Sequence, residues 1–184
     1  MSRVRPAVLL HLLALVSLAL RAQAQMATNP AQFDRPIKAL SDAEILSYLN
    51  GEGPGYGDAA ELNRYPGPRQ VLDVASQIGL TEPQKQRVQR IYDAMHEATM
   101  DLGRKIVSHE AVLDSLFSSR IVDSAGLYTQ VTEIARLQGA LRAAHLQAHL
   151  AVTKILSPDQ ILACDRLRRN SAVSNESGQT GAKH

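Results

Sequence analysis

His145 and His149 stand four residues apart, so on a helix their imidazoles lie on one face and can converge on a single metal ion. His96 and His109 are the other histidines inside strongly patterned sequence, and Met95 and Met100 flank the first of them. Imidazole suits Zn²⁺, Cu²⁺ or Ni²⁺, and Asp93 or Glu97 could add an oxygen. The plainer alternative is hydrogen bonding between helices by half-buried rings. Spacing alone favours that alternative, because an i,i+4 His pair arises readily by chance. The methionines read as packing and His109 as a polar register-setting position. No catalytic constellation is present: there is no HExxH, no phosphate-cradling loop between a strand and a helix, and no Ser or Cys beside an evident base. The chain is therefore not read as an enzyme. The Gly-rich run at 51–57 joins no strand to a helix and is discounted. Cys164 is the single cysteine, lying among Ile161, Leu162 and Leu167, and is expected to be buried.

The elements that must position these rings are helices. Ser41 and Glu44 form a capping box opening a short helix over 42–50, and a second short helix is expected over 69–78, ended by Gly79. At Thr81 the pattern changes. Thr81 and Gln84 make another capping box, and apolar residues then recur at alternating steps of four and three from Val88 to Leu116. This predicts a helix to about Ser118, roughly 55 Å long at 1.5 Å per residue. After a tight connection, Asp123 caps a helix whose seam runs from Leu127 to Ile155. Leu156, Ser157, Pro158 and Gln160 then repeat the earlier start and open a last helix to about Arg168.

Two long amphipathic helices with a short connection fold back as an antiparallel hairpin. Seam partners are Leu102 with Leu141, Met95 with Ala148 and His109 with Ile134, which places His96 across from residue 147, beside His145 and His149. The tentative metal set is thus His96, His145 and His149. Gly103 and Gly139 fall at one level, which suggests a bend or a close approach of the two backbones. Off the seam, Ile91, Leu137, Leu146 and Leu150, rimmed by cations such as Arg87 and Arg104, form an apolar flank suited to weak binding of unfolded chains. Burial in a dimer interface is the alternative for that flank.

Across the 184 residues, 20 Lys and Arg oppose 18 Asp and Glu, a formal charge of +2. Arg3, Arg5 and Arg21 precede a small-residue Ala22-Gln23-Ala24 step and bracket an apolar run of about 14 residues, the layout of a cleavable secretory leader over 1–24 and too short to span a bilayer. Without the leader the balance is −1, so bulk charge argues against nucleic acid as a partner. The mature chain is expected to be periplasmic and free of membrane insertion. Its organisation reads as a flexible arm over 25–67 with one short helix and a Gly-rich loop, a helical domain over 68–168, and a disordered tail over 169–184.

The two motifs, Leu80-Thr81-Glu-Pro-Gln84 and Leu156-Ser157-Pro-Asp-Gln160, resemble the paired LTxxQ motifs of the Spy/CpxP family of periplasmic proteins. The first matches at every motif position, and the second has Ser for Thr, which keeps the capping hydroxyl. The resemblance covers residues 68–168. It implies an all-α, cradle-like homodimer of long helical hairpins with short flanking helices. It also implies an ATP-independent chaperone or envelope-stress accessory, whose partners would be unfolded periplasmic proteins or the periplasmic domain of a sensor kinase, with no cofactor required. A neighbouring branch of heavy-metal sensors and zinc-resistance-associated proteins implies the alternative, binding of a divalent transition metal through histidines, methionines and carboxylates. That branch also uses histidines early in the mature chain, and residues 25–79 here contain none.

Overall fold

The computed structural model describes residues 33–53 and 55–180, with side chains described as far as residue 171. The leader read over 1–24 lies outside the described residues, as does the arm up to residue 32. The chain divides into two units, Met1–Lys38 and Ala39–His184. In the first, residues 33–38 form successive turns and bends. The second is all-helical among its described residues: α1 Asp42–Leu49, α2 Asp58–Glu61, α3 Pro68–Asp73, α4 Glu82–Ser118, α5 Ser124–Thr153 and α6 Pro158–Thr180. Among the described residues no helix is long and apolar enough to cross a membrane.

The long helices begin where their capping residues dictate. Thr81 accepts from the Gln84 amide while Gln84 accepts from the Thr81 amide at 3.1 Å, and the Ser41–Glu44 box opens α1 in the same way. Asp123 accepts from the Gly126 amide at 2.7 Å to start α5. Helix α3 stops at Asp73, short of the residue 78 expected. The chain from Val74 instead winds through tighter turns that end at Gly79, whose φ of 62° suits glycine.

The second LTxxQ-like motif does more than start α6. Gln160 accepts from the Ser157 amide at 2.9 Å, and its carboxamide also pairs with that of Gln84. Gln84 Nε2 donates to Gln160 Oε1 at 2.9 Å, and Gln160 Nε2 donates back to Gln84 Oε1 at 3.1 Å. Each glutamine also donates to a carbonyl five residues before the other: Gln84 to Ile155 O and Gln160 to Gly79 O. The starts of α4 and α6 are thereby clasped by a reciprocal amide pair, each bond contributing about 1 kcal/mol.

Two cores hold the hairpin. The first, at its open end, joins Val71 and Ile78 to Val88 of α4, Val152 of α5, and Leu156 and Cys164. Cys164 is buried as expected, and burial pushes its thiol pKa up. The second joins Ile106 of α4 to Leu137 and Leu141 of α5, with Tyr48, Tyr56 and Leu102 packed against them. The predicted register is visible here, since Leu102 and Leu141 share this cluster. Beyond it, the ends of the two helices and their connection keep apolar side chains in solvent, among them Phe117, Ile121, Tyr128 and Val131. Two helices alone cannot enclose their seam.

Four further expectations are corrected. Residues 39–67 are not a free arm: α1 packs on α4, and α2 on α5. Gly103 does face a close approach, but the neighbour is the Tyr48 backbone of α1, and a Cβ at Gly139 would meet nothing within 4 Å. The matched glycines therefore do not mark contact between α4 and α5. Helix α6 continues past Arg168 to Thr180, because no glycine interrupts it before Gly178 and its first half is anchored. That anchor is Asp165, only 9% exposed, paired with Arg168 at 3.1 Å, Arg169 at 3.0 Å and Arg64 at 3.6 Å. Burial alone would raise the Asp165 pKa, but hydrogen bonds from Arg169 and Arg168 outweigh it and hold the carboxyl below its usual value. Finally, Leu137 is 1% exposed and belongs to the second core, so it cannot bind a client.

Candidate metal centre

The gap between the two cores is a cavity. On α4, Val88 and Ile91 belong to the first core, and Leu102 and Ile106 to the second. On α5, Val152 and Leu141 play the same parts. Between them lie Tyr92, Met95, His96 and Met100 on one helix and His145 and His149 on the other, all lining a cavity of about 380 Å³. Its remaining wall comes from 50–52, Glu61 and 67–70. The structure thus brings the three sequence-predicted histidines to one cavity, together with both methionines that sequence alone assigns to packing.

Each α5 imidazole is fixed by a carbonyl from the segment that crosses it. His149 is 4% exposed. Its Nδ1 lies 2.8 Å from Tyr65 O, and since a carbonyl only accepts, Nδ1 carries the proton and donates. The other nitrogen, Nε2, faces Glu61 Oε1 at 3.9 Å. His145 Nε2 donates to Gly51 O at 3.2 Å, leaving Nδ1 as the basic nitrogen, and the Tyr56 ring meets this imidazole edge-on. Burial lowers the His145 pKa more than the Gly51 hydrogen bond raises it, so the ring is neutral at pH 7. A neutral imidazole with one N–H tied to a carbonyl is the arrangement that orients histidine as a metal ligand. His96 on α4 is half-buried and stacks on Tyr92, with ring centroids 5.6 Å apart.

Glycines admit the crossing segment. A Cβ on Gly57 would come 2.9 Å from His149 Nε2, and one on Gly67 would come 2.9 Å from Cε1 of the same ring. Gly51, at φ 67°, lies against buried Thr99. The described residues of 51–67 therefore form a strap whose backbone touches the imidazoles directly at Gly51, Gly57, Tyr65 and Gly67. Sequence reading missed this strap. Its signal in the sequence is the close glycine spacing at 51, 53, 55 and 57, which leaves room for backbone to lie against a side chain.

The donors fit a heavy-metal ion in kind. Imidazoles, thioethers and the carboxylates of Glu52 and Glu61 line one cavity, with the guanidinium of Arg69 also in its lining. They are not gathered into a finished cage: among the described residues no three His, Cys, Asp or Glu stand close enough to share one ion.

Comparison with protein families matches residues 53–163 to the family described as heavy-metal resistance. The chain belongs to the heavy-metal resistance family. The matched stretch starts in the strap and ends in α6, so it contains the whole hairpin and both imidazoles of α5. This family sits within the Spy/CpxP-like LTxxQ group toward which the two motifs point. No curated protein and no solved structure matched the chain.

The remaining predicted site residues are scattered. Arg87 lines a shallow groove with Arg90 and Lys154 over Ile91 and Ile155. Leu146 is half-buried and Leu150 exposed, whereas Arg104 is paired with Asp101 at 3.9 Å. His109 Nδ1 lies 2.8 Å from Gln130 Oε1 across the hairpin, the interhelical role expected of it.

Proposed function

We propose that this member of the heavy-metal resistance family is a periplasmic metal-binding protein, without enzymatic activity, that holds a transition-metal ion in the cavity between its two cores. One observation carries the reading. Both α5 imidazoles have one nitrogen tied to a strap carbonyl, Gly51 O or Tyr65 O, and line the same cavity as His96. His145 and His149 would hold the ion, with His96 facing them from α4. Calorimetric titration with Zn²⁺, Cu²⁺ and Ni²⁺ tests this. Wild type should bind at least one of them stoichiometrically, and the His145→Ala/His149→Ala double variant should lose that binding by about tenfold or more. Equal heats from both proteins would defeat the proposal.

A second reading, chaperone activity, is favoured by the uncovered apolar side chains of the distal hairpin, such as Ile121 at 69% and Tyr128 at 74% exposure. The purified protein should then suppress aggregation of an unfolding client without ATP, and no suppression at stoichiometric excess would count against it.

A further inference from the structure

The hairpin has two unlike faces. At about 100° per residue, Arg87, Arg90 and Ala94 fall on the side of α4 opposite His96 and Gly103, and Ala151 falls on the side of α5 opposite His149. The histidine face is covered by the strap and α1. On the other face Arg87, Arg90 and Lys154 line a shallow groove of about 460 Å³ over Ile91, Ala94, Ala151 and Ile155. Among the described residues no carboxylate lines this groove, and its three cations, all exposed, make no ion pair or side-chain hydrogen bond. Farther along the hairpin, by contrast, Arg104 and Lys105 are paired with Asp101, and Arg136 with Glu133. The groove shares no lining residue with the metal cavity.

The layer across the histidine face has the reverse character. Residues 39–63 contain Asp42, Glu44, Glu52, Asp58 and Glu61 and no Lys or Arg. Twice in this layer an exposed carboxylate stands four residues before an exposed leucine, so that the two share one helical face. Asp42 precedes Leu46, 58% exposed, on α1, and Asp58 precedes Leu62, 64% exposed, at the end of α2. Each pair offers an apolar side chain beside a negative charge, and the groove offers a half-buried apolar floor ringed by positive charge.

We infer that the groove takes the acidic layer of a second copy of this chain, with a leucine of the layer on the floor between Ile91 and Ile155 and its aspartate against Arg87, Arg90 or Lys154. Complementary charge selects this partner and fixes its orientation, and the leucine supplies the apolar burial. The two surfaces lie on opposite faces, so one molecule can present its layer to one neighbour and its groove to another. The contact is therefore heterologous and continues from copy to copy, unlike the closed cradle-like pairing that the resemblance implies.

Sedimentation equilibrium over a range of protein concentrations tests this. Wild type should gain mass with concentration beyond that of a dimer, and salt should reverse the gain by screening the charges. Two variants each disable one surface at exposed positions. Arg87→Glu/Arg90→Glu reverses the groove, and Leu46→Lys/Leu62→Lys sets cations against it. Each alone should stay monomeric, with self-association weakened about a hundredfold or more by like charge. Mixed in equal amounts they retain one complementary pair of surfaces, so they should form a one-to-one complex that grows no further. Circular dichroism confirms that both keep their helices, and Arg87→Gln/Arg90→Gln replaces a groove variant that does not. A wild type that stays monomeric, a dimer that neither variant disrupts, or variants that fail to combine when mixed would each overturn the inference.

Discussion

His145 links the site to pH. Burial is the largest influence on its ring and lowers its pKa from the ordinary 6.5. As pH falls through 6.5 the unfolded chain takes up the proton first, so the folded state loses stability from there down to the lowered folded pKa. Denaturant midpoints measured from pH 7.5 to 5 should fall across that window, and His145→Asn should flatten the trend. A variant with the same slope as wild type would show that another group governs it. Metal binding should weaken over the same interval, since the ion competes with the proton for Nδ1. The pair itself was legible in sequence from its i,i+4 spacing. The carbonyls of Gly51 and Tyr65 that fix its tautomers were not, because backbone contacts across more than 80 residues leave no mark in residue types.

Among the elements, the hairpin was the most legible, since caps at Thr81, Asp123 and Ser157 and a seam from Val88 to Ile155 determine its lengths and register. What escaped was the layer laid across it. Residues 39–67 carry little periodicity, and their docking depends on glycines that permit backbone contact. Gly103 shows the difference. Helix propensity treats Gly103 and Gly139 alike, each costing about 1 kcal/mol relative to Ala. A methyl at Gly103, however, would run into the Tyr48 backbone, while one at Gly139 meets open space. Gly139→Ala should therefore stabilise the protein by up to about 1 kcal/mol. Gly103→Ala should destabilise it by about 1–3 kcal/mol as α1 is forced away. Thermal unfolding of the two single variants decides this, and similar effects from both would mean that α1 does not pack against Gly103 as described.

For the molecule as a whole, two small cores and a glutamine clasp hold α3 to α6 together and leave a polar gap between the cores. Filling that gap with three imidazoles and two thioethers forgoes apolar burial that a continuous seam would have supplied, a sacrifice that the proposed metal-binding function would explain. An ion held there would tie α4 to α5 beneath the strap, and the ring nitrogens would report it. Long-range ¹H–¹⁵N spectra of the histidine side chains, recorded on titration with diamagnetic Zn²⁺, give the most direct view. His145 Nδ1 and His149 Nε2 should shift as ligands while His145 Nε2 and His149 Nδ1 keep their protons, with His96 responding in the same titration. Ring signals that stay unmoved, or coordination through the two nitrogens now bonded to Gly51 and Tyr65, would contradict the account.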